Sequence, residues 1–382
     1  MLLKRKLIYL AGFLFFLPIA LVSYINSSFL ETYVGKNYVG LLYVAASLIT
    51  ILSLPKMHKI LNRLGNRMTI LLFCLLIFLS FIMLGIGNNL FFVLLSFILY
   101  FVSVSFVIAS LDIFIEDLGK SISVGRLRGF YLMIINSAWI VSQIISGTII
   151  TKTSLSSIYI FAAGFMALVM FVFVLFMRDF KDPEYKKISS TKTIKTFIEN
   201  KNILYIYLSN LILQFFFAWM VIYMPIYLHT YIGFGWDKIG IIFAIMLLPF
   251  VLLDFPLGKL SDKIGEKEML SIGFLIITLS VLIIPLIKAP TLWVWALVLL
   301  ATRIGAATIE VMSETYFFKK VDKEDDSEIS FFRNAPSVAY VIAPLVAMPI
   351  IFFVPSLKYL FFFLSAILFL GFLISLRLRD VK

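Results

Sequence analysis

A chain of 382 residues that is 62% hydrophobic and only 14% charged, with mean hydropathy +1.05, carries more apolar surface than a soluble fold can hide. It reads as an all-α membrane protein, because in hydrocarbon every backbone group must be satisfied within its own segment. The single cysteine, Cys74, excludes an internal disulfide framework and a cysteine-rich metal site, and two histidines, His58 and His229, cannot alone build a metal centre.

The basic start Met1-Leu2-Leu3-Lys4-Arg5-Lys6 runs into a long apolar stretch with no small-residue cleavage site, so it is expected to open the first span rather than to be a signal peptide. A span needs about 20 mostly apolar residues. That ruler places twelve: 7–30, 38–60, 68–87, 90–115, 127–150, 156–177, 203–228, 237–258, 268–287, 291–317, 330–353 and 357–376. Most connections are short and polar. The exception runs from Arg178 to Asn202 and is rich in Lys, Ser and Thr. The expected organisation is an N-terminal six-helix bundle over 1–178, a cytoplasmic linker over 179–202, and a C-terminal six-helix bundle over 203–382.

Charge fixes the expected direction. With the N-terminus inside, Lys36, Lys152, Lys238, Lys288 and Lys358 fall in outer loops and Arg303 within a span. Every other member of the 33 Lys and Arg falls on the inner side. Positive charge is retained on the cytoplasmic side of a bilayer, so both termini are expected on the cytoplasmic side of the cell's inner membrane. The net charge of +12 is then an inner face that meets anionic membrane lipid. A nucleic-acid partner would need a basic patch on a soluble domain, and none is legible.

The two halves repeat. Leu30-Glu31-Thr32-Tyr33-Val34-Gly35 matches Leu228-His229-Thr230-Tyr231-Ile232-Gly233, and Val39-Gly40 matches Ile239-Gly240. Asn62-Arg63-Leu64-Gly65-Asn66-Arg67 matches Asp262-Lys263-Ile264-Gly265-Glu266-Lys267 at an offset of 200. Six spans in each half, both starting inside, make these parallel repeats. The loop after the eighth span carries Gly258, Asp262, Lys263, Gly265 and Lys267. The loop after the second carries a worn copy, in which Arg63, Gly65 and Arg67 fit, His58 stands for the glycine and Asn62 for the aspartate. With this motif, the span count and the central linker, the chain resembles the major facilitator superfamily over its whole length.

That resemblance implies two pseudo-symmetric six-helix bundles, alternating access, and a central cavity lined by the first, fourth, seventh and tenth spans. It also implies that the motif loops latch the inside-closed state. Asp254, four residues before Gly258, is a candidate partner for basic residues at that cytoplasmic gate or a member of a structural ion pair at the interface. An ionisable group inside hydrocarbon costs roughly 2.5–3.5 kcal/mol or more and so belongs against a cavity or a partner. On that ground Arg303 and Glu310 of the tenth span and Asp112 of the fourth are candidate cavity residues. Neutral candidates are Tyr24 and Asn26, Asn136 and Gln143, and Gln214, Trp219 and Tyr223; such groups bond either a solute or a neighbouring helix. No nucleotide-binding loop is legible. The expected function is therefore secondary transport of a small solute, driven by its own gradient or by a proton. A flippase for lipid or a lipid-linked glycan is the alternative within the same fold. No enzymatic activity, metal or cofactor is expected beyond a coupling proton, and the expected assembly is a monomer.

Overall fold

The structure is a computed structural model, which describes residues 2–87, 89–119, 124–176, 197, 199–321, 326–354 and 356–379. Of the expected linker over 179–202, all but 197 and 199–202 lies outside the described residues. Among the described residues all regular structure is helical, as lipid demands of an open chain. The order is α1 Leu2–Ser23, α2 Asn26–Val34, α3 Val39–Ser53, α4 Met57–Ile86, α5 Leu90–Gly119, α6 Val124–Lys152 and α7 Ser157–Phe176. It continues with α8 Lys201–Ile226, α9 Trp236–Leu247, α10 Pro249–Leu252, α11 Asp254–Ile264, α12 Glu266–Ile283, α13 Leu292–Lys320, α14 Asp326–Phe332, α15 Ala335–Phe353 and α16 Tyr359–Ser375.

Nine helical stretches among the described residues are long and apolar enough to cross a membrane, and Tyr359–Ser375 is a shorter apolar helix. One of the nine, Val39–Ile86, holds two of the sequence windows and turns at Gly65, which has φ 75° and ψ 161° inside α4. The eighth window falls on three successive helices, α9 to α11, interrupted at Leu248 and Leu253. Each of the twelve windows is thus occupied by helix. The positive-φ residues among those described are all glycines and come in two pairs: Gly35 with Gly233 (φ 74° and 85°) and Gly65 with Gly265 (φ 75° and 107°). Only glycine enters this region without a Cβ clash. The pairs stand at matching places of the internal repeat, so the repeat is one of backbone conformation as well as of letters.

The chain divides into two compact units, Met1–Gly35 with Ala45–Lys187, and Lys36–Val44 with Ile188–Lys382. In the first, α1 packs on α6 and α7, and α4 on α5 and α7. Phe73 and Phe106 stack at 4.4 Å between α4 and α5. The first span is broken at Tyr24–Ile25, between α1 and α2. Side chains of α6 meet the carbonyls near this break: Ser142 Oγ donates to the Leu17 oxygen at 3.0 Å and Gln143 Nε2 to the Ala20 oxygen at 3.1 Å. A helix end leaves its last carbonyls without helical partners, and the Gln143 bond to Ala20 meets part of that need. Cys74 lies fully buried in α4.

In the second unit α13 packs on α12, α9 and α8. The α12–α13 contact is backbone to backbone. A Cβ on Gly305 would lie 2.7 Å from the Gly273 oxygen and 2.8 Å from the Ile277 nitrogen. Small residues let membrane helices approach this closely and gain dispersion contacts that hydrocarbon does not otherwise reward. The segment Lys36–Val44 joins this unit through specific contacts. Lys36 Nζ donates to the Tyr231 hydroxyl at 2.9 Å, the Tyr43 and Tyr340 rings stack at 5.9 Å, and Gly40 lies against the Tyr223 hydroxyl and Pro344.

Candidate functional site

In the first unit the polar candidates are spread over the break in the first span, α2, α5 and α6. Asn26, at the start of α2, is buried and accepts the Tyr159 hydroxyl at 2.8 Å through Oδ1. Tyr24, at the break itself, is buried with its ring edge-on to Trp139 at 6.1 Å. Gln143 is buried and committed to the Ala20 carbonyl, and Asn136 is partly buried on α6. Asp112 is partly buried on α5, in electrostatic reach of Tyr131. Asn26 and Gln143 are thus engaged as links between helices, the commoner use of such groups.

In the second unit the candidates gather on α8 and α13. Arg303 is 0% exposed. Its guanidinium carbon sits 4.9 Å from the Phe216 ring centre and 5.4 Å from that of Phe217, both on α8. Rings this close attract the cation through their negative faces, and more strongly once water is excluded. Seven residues further along α13, about 10 Å by helical rise, Glu310 is partly buried and interacts electrostatically with Glu314, Asp254 and Arg303. Asp254 is the first residue of α11, at the second interruption of the eighth span. The acidic residues of α13 therefore stand toward its C-terminal end and the guanidinium nearer its middle.

The other candidates lie on α8. Gln214 is partly buried, and its Nε2 donates to Asn210 Oδ1 at 3.4 Å. Trp219 and Tyr223 are 0% and 1% exposed with rings 5.8 Å apart. The indole Nε1 and the Tyr223 hydroxyl are both buried without a hydrogen-bond partner among the described residues.

The two motif loops make the same turn. Gly265 carries the positive φ that ends α11, as Gly65 does between the second and third spans. A Cβ on Gly258 would meet nothing within 4 Å, so close packing gives no reason for glycine there. Asp262 lies in α11, with its side chain outside the described part of the chain. Lys263, Asn62 and Arg63 are exposed and Lys267 is partly buried. Arg67 Nη2 donates to the Val174 carbonyl at the end of α7 at 3.0 Å.

The residues that anchor these turns were not among the sequence candidates. Asn66 is 0% exposed and donates through Nδ2 to the Ser110 carbonyl on α5 at 3.0 Å. Its counterpart Glu266 is 4% exposed and pairs with Lys319 at the end of α13. Both stand one residue past the turning glycine, and α5 and α13 hold the fourth and tenth spans. The offset of 200 aligned Asn66 with Glu266, but a partner some 50 residues away leaves no local signal. Phe216 and Phe217 were missed for the same reason, since a Phe pair among 40 does not announce a guanidinium.

Comparison with known proteins supplies the rest. The sequence profile described as Major Facilitator Superfamily matches residues 8–240 and 224–382. The fold is similar to that in the crystal structure of the human organic anion transporter MFSD10 (TETRAN), with TM-score 0.69 over 97% of this chain and 98% of that one. At 14% identity that likeness speaks for the fold alone. No curated protein matches in sequence. The helical spans, the paired glycine turns and the profile covering both halves agree: the chain is a multi-pass membrane protein that belongs to the Major Facilitator Superfamily of transporters.

Proposed function

We propose that this protein moves a small solute across the cytoplasmic membrane by alternating access, with both termini in the cytoplasm, and that a proton bound at Glu310 drives it. The observation that carries the reading is Arg303, a permanent charge with no exposure in the middle of the tenth span, on the same helix as Glu310. Charges are tolerated at such depth where they serve a solute or ion path. Glu310 interacts with two like charges, Glu314 and Asp254, and with the opposite charge of Arg303. Such a carboxyl responds to a proton or to a charged solute arriving beside it. No nucleotide is needed, because a solute and a proton gradient supply the energy.

The test uses full-length protein in proteoliposomes, with solutes first chosen by thermal shift at two pH values. An inward pH gradient should accumulate the solute. Glu310→Gln should keep solute exchange at equal pH and lose gradient-driven accumulation, whereas Arg303→Gln should lose both. Gradient-driven accumulation that survives Glu310→Gln would take the proton away from Glu310, and accumulation that ignores the pH gradient in the unaltered protein would remove the proton from the mechanism. A terminal tag accessible from outside intact cells would reverse the orientation.

A further inference from the structure

We propose that the solute is an organic carboxylate with an aromatic or similarly flat apolar body, read by hydrogen-bond donors on one face of α8 together with Arg303. The inference rests on the transport reading and names the substrate class of the same site. Phe216, Trp219 and Tyr223 stand at i, i+3 and i+7, so they share a helix face and span about 10 Å along it. Arg303 lies against the first of them. The polar atoms this arrangement offers are the guanidinium, the indole Nε1 and the Tyr223 hydroxyl. The first two can only donate, and the third donates readily. Two of the three, Nε1 and the hydroxyl, are buried with no partner among the described residues.

Buried indole and phenol groups normally find a partner, and leaving one unmade costs about 1–3 kcal/mol. Two such donors one helical turn apart, on a face whose first ring holds a guanidinium, call for a solute that carries acceptors. A carboxylate fits best, with its planar oxygens on the planar guanidinium. The aromatic walls Phe216, Trp219 and Tyr223 suit a flat apolar body. An ammonium-bearing solute would set cation against cation at Arg303 and would leave both donors unmatched. The acidic groups of the unit, Glu310, Glu314 and Asp254, gather two turns deeper, so they do not compete for the same donors.

The test takes the full-length protein in detergent with three matched probes: 3-phenylpropanoate, its neutral amide 3-phenylpropanamide, and 3-phenylpropylamine. The carboxylate should raise the melting temperature saturably, while the amide and amine should do so weakly or not at all. Tyr223→Phe and Trp219→Phe should each weaken carboxylate binding about fivefold, the worth of one hydrogen bond, and Arg303→Gln about thirtyfold or more. Tyr223→Phe removes only an unpartnered hydroxyl, so the ligand-free protein should melt at the same or a higher temperature while its ligand response falls. A merely structural role for the hydroxyl would lower both together.

Binding of the amine or amide at least as tight as that of the carboxylate overturns the assignment, as does failure of all three to bind. Carboxylate affinity unchanged in both Trp219→Phe and Tyr223→Phe also overturns it; Tyr223→Phe keeps the packing should Arg303→Gln not fold. In proteoliposomes, carboxylate that binds and is never exchanged would sink the transport reading and leave the assignment standing. Exchange of the amine alone would do the reverse.

Discussion

The turn at Gly65 and the turn at Gly265 have the same backbone and different anchors. In the first, a neutral amide, Asn66, donates to a carbonyl of α5. In the second, a carboxylate, Glu266, holds a lysine of α13. The helix pairs that follow differ in a similar way. Stacked Phe73 and Phe106 fill the space between α4 and α5, where α12 and α13 bring Gly273 and Gly305 into backbone contact. The steric demand of the turn has a single solution, glycine. The demands for an anchor and for filled space have several, and the two halves use different ones.

The largest effect should come from the glycine contact. Gly305→Ala should destabilise the purified protein by about 1–3 kcal/mol, because the atoms in the way are backbone and cannot yield. Gly164→Ala on α7 meets nothing within 4 Å and should gain up to about 1 kcal/mol of helix preference. Equal melting temperatures for the two variants would mean that α12 and α13 do not need the close approach. Next come the turns. Gly65→Ala and Gly265→Ala should each lose about 1–2 kcal/mol, by similar amounts, and a large inequality would break the equivalence of the two loops.

The anchors separate by salt. Asn66→Ala should lose about 1 kcal/mol at any ionic strength. Glu266→Gln should lose up to about 1 kcal/mol, since Lys319 is 42% exposed and its attraction is screened, and that loss should shrink in molar salt. A salt-independent loss at Glu266 would mean that burial, not pairing, sets its role. The smallest effect is expected for Gln143→Leu, about 0.6 kcal/mol for one helix-to-helix bond in a membrane, read as a small shift in the melting curve.

The spans were legible because lipid imposes length and apolarity on every crossing, so all twelve windows fall on helix. The repeat was legible because glycine at positive φ cannot be replaced cheaply, and the matched pairs Gly35 with Gly233 and Gly65 with Gly265 keep their letters. The interruption at Tyr24–Ile25 was not legible. Neither residue is a helix breaker, and Pro18, which is one, lies within the unbroken α1. Gly258 is a motif glycine in open space, so local packing does not explain its letter. At the site, Arg303 stood out as a charge in a span, but the rings of Phe216 and Phe217 around it did not. Charge at depth is a property of one residue, and its surroundings are a property of packing.

Cys74 has a practical bearing. A thiol with no exposure inside α4 is shielded from labelling reagents while the protein is folded. Reporter groups can therefore be attached through cysteines introduced at chosen surface positions without first removing the native one, and distances between them can be followed as solute and pH are varied.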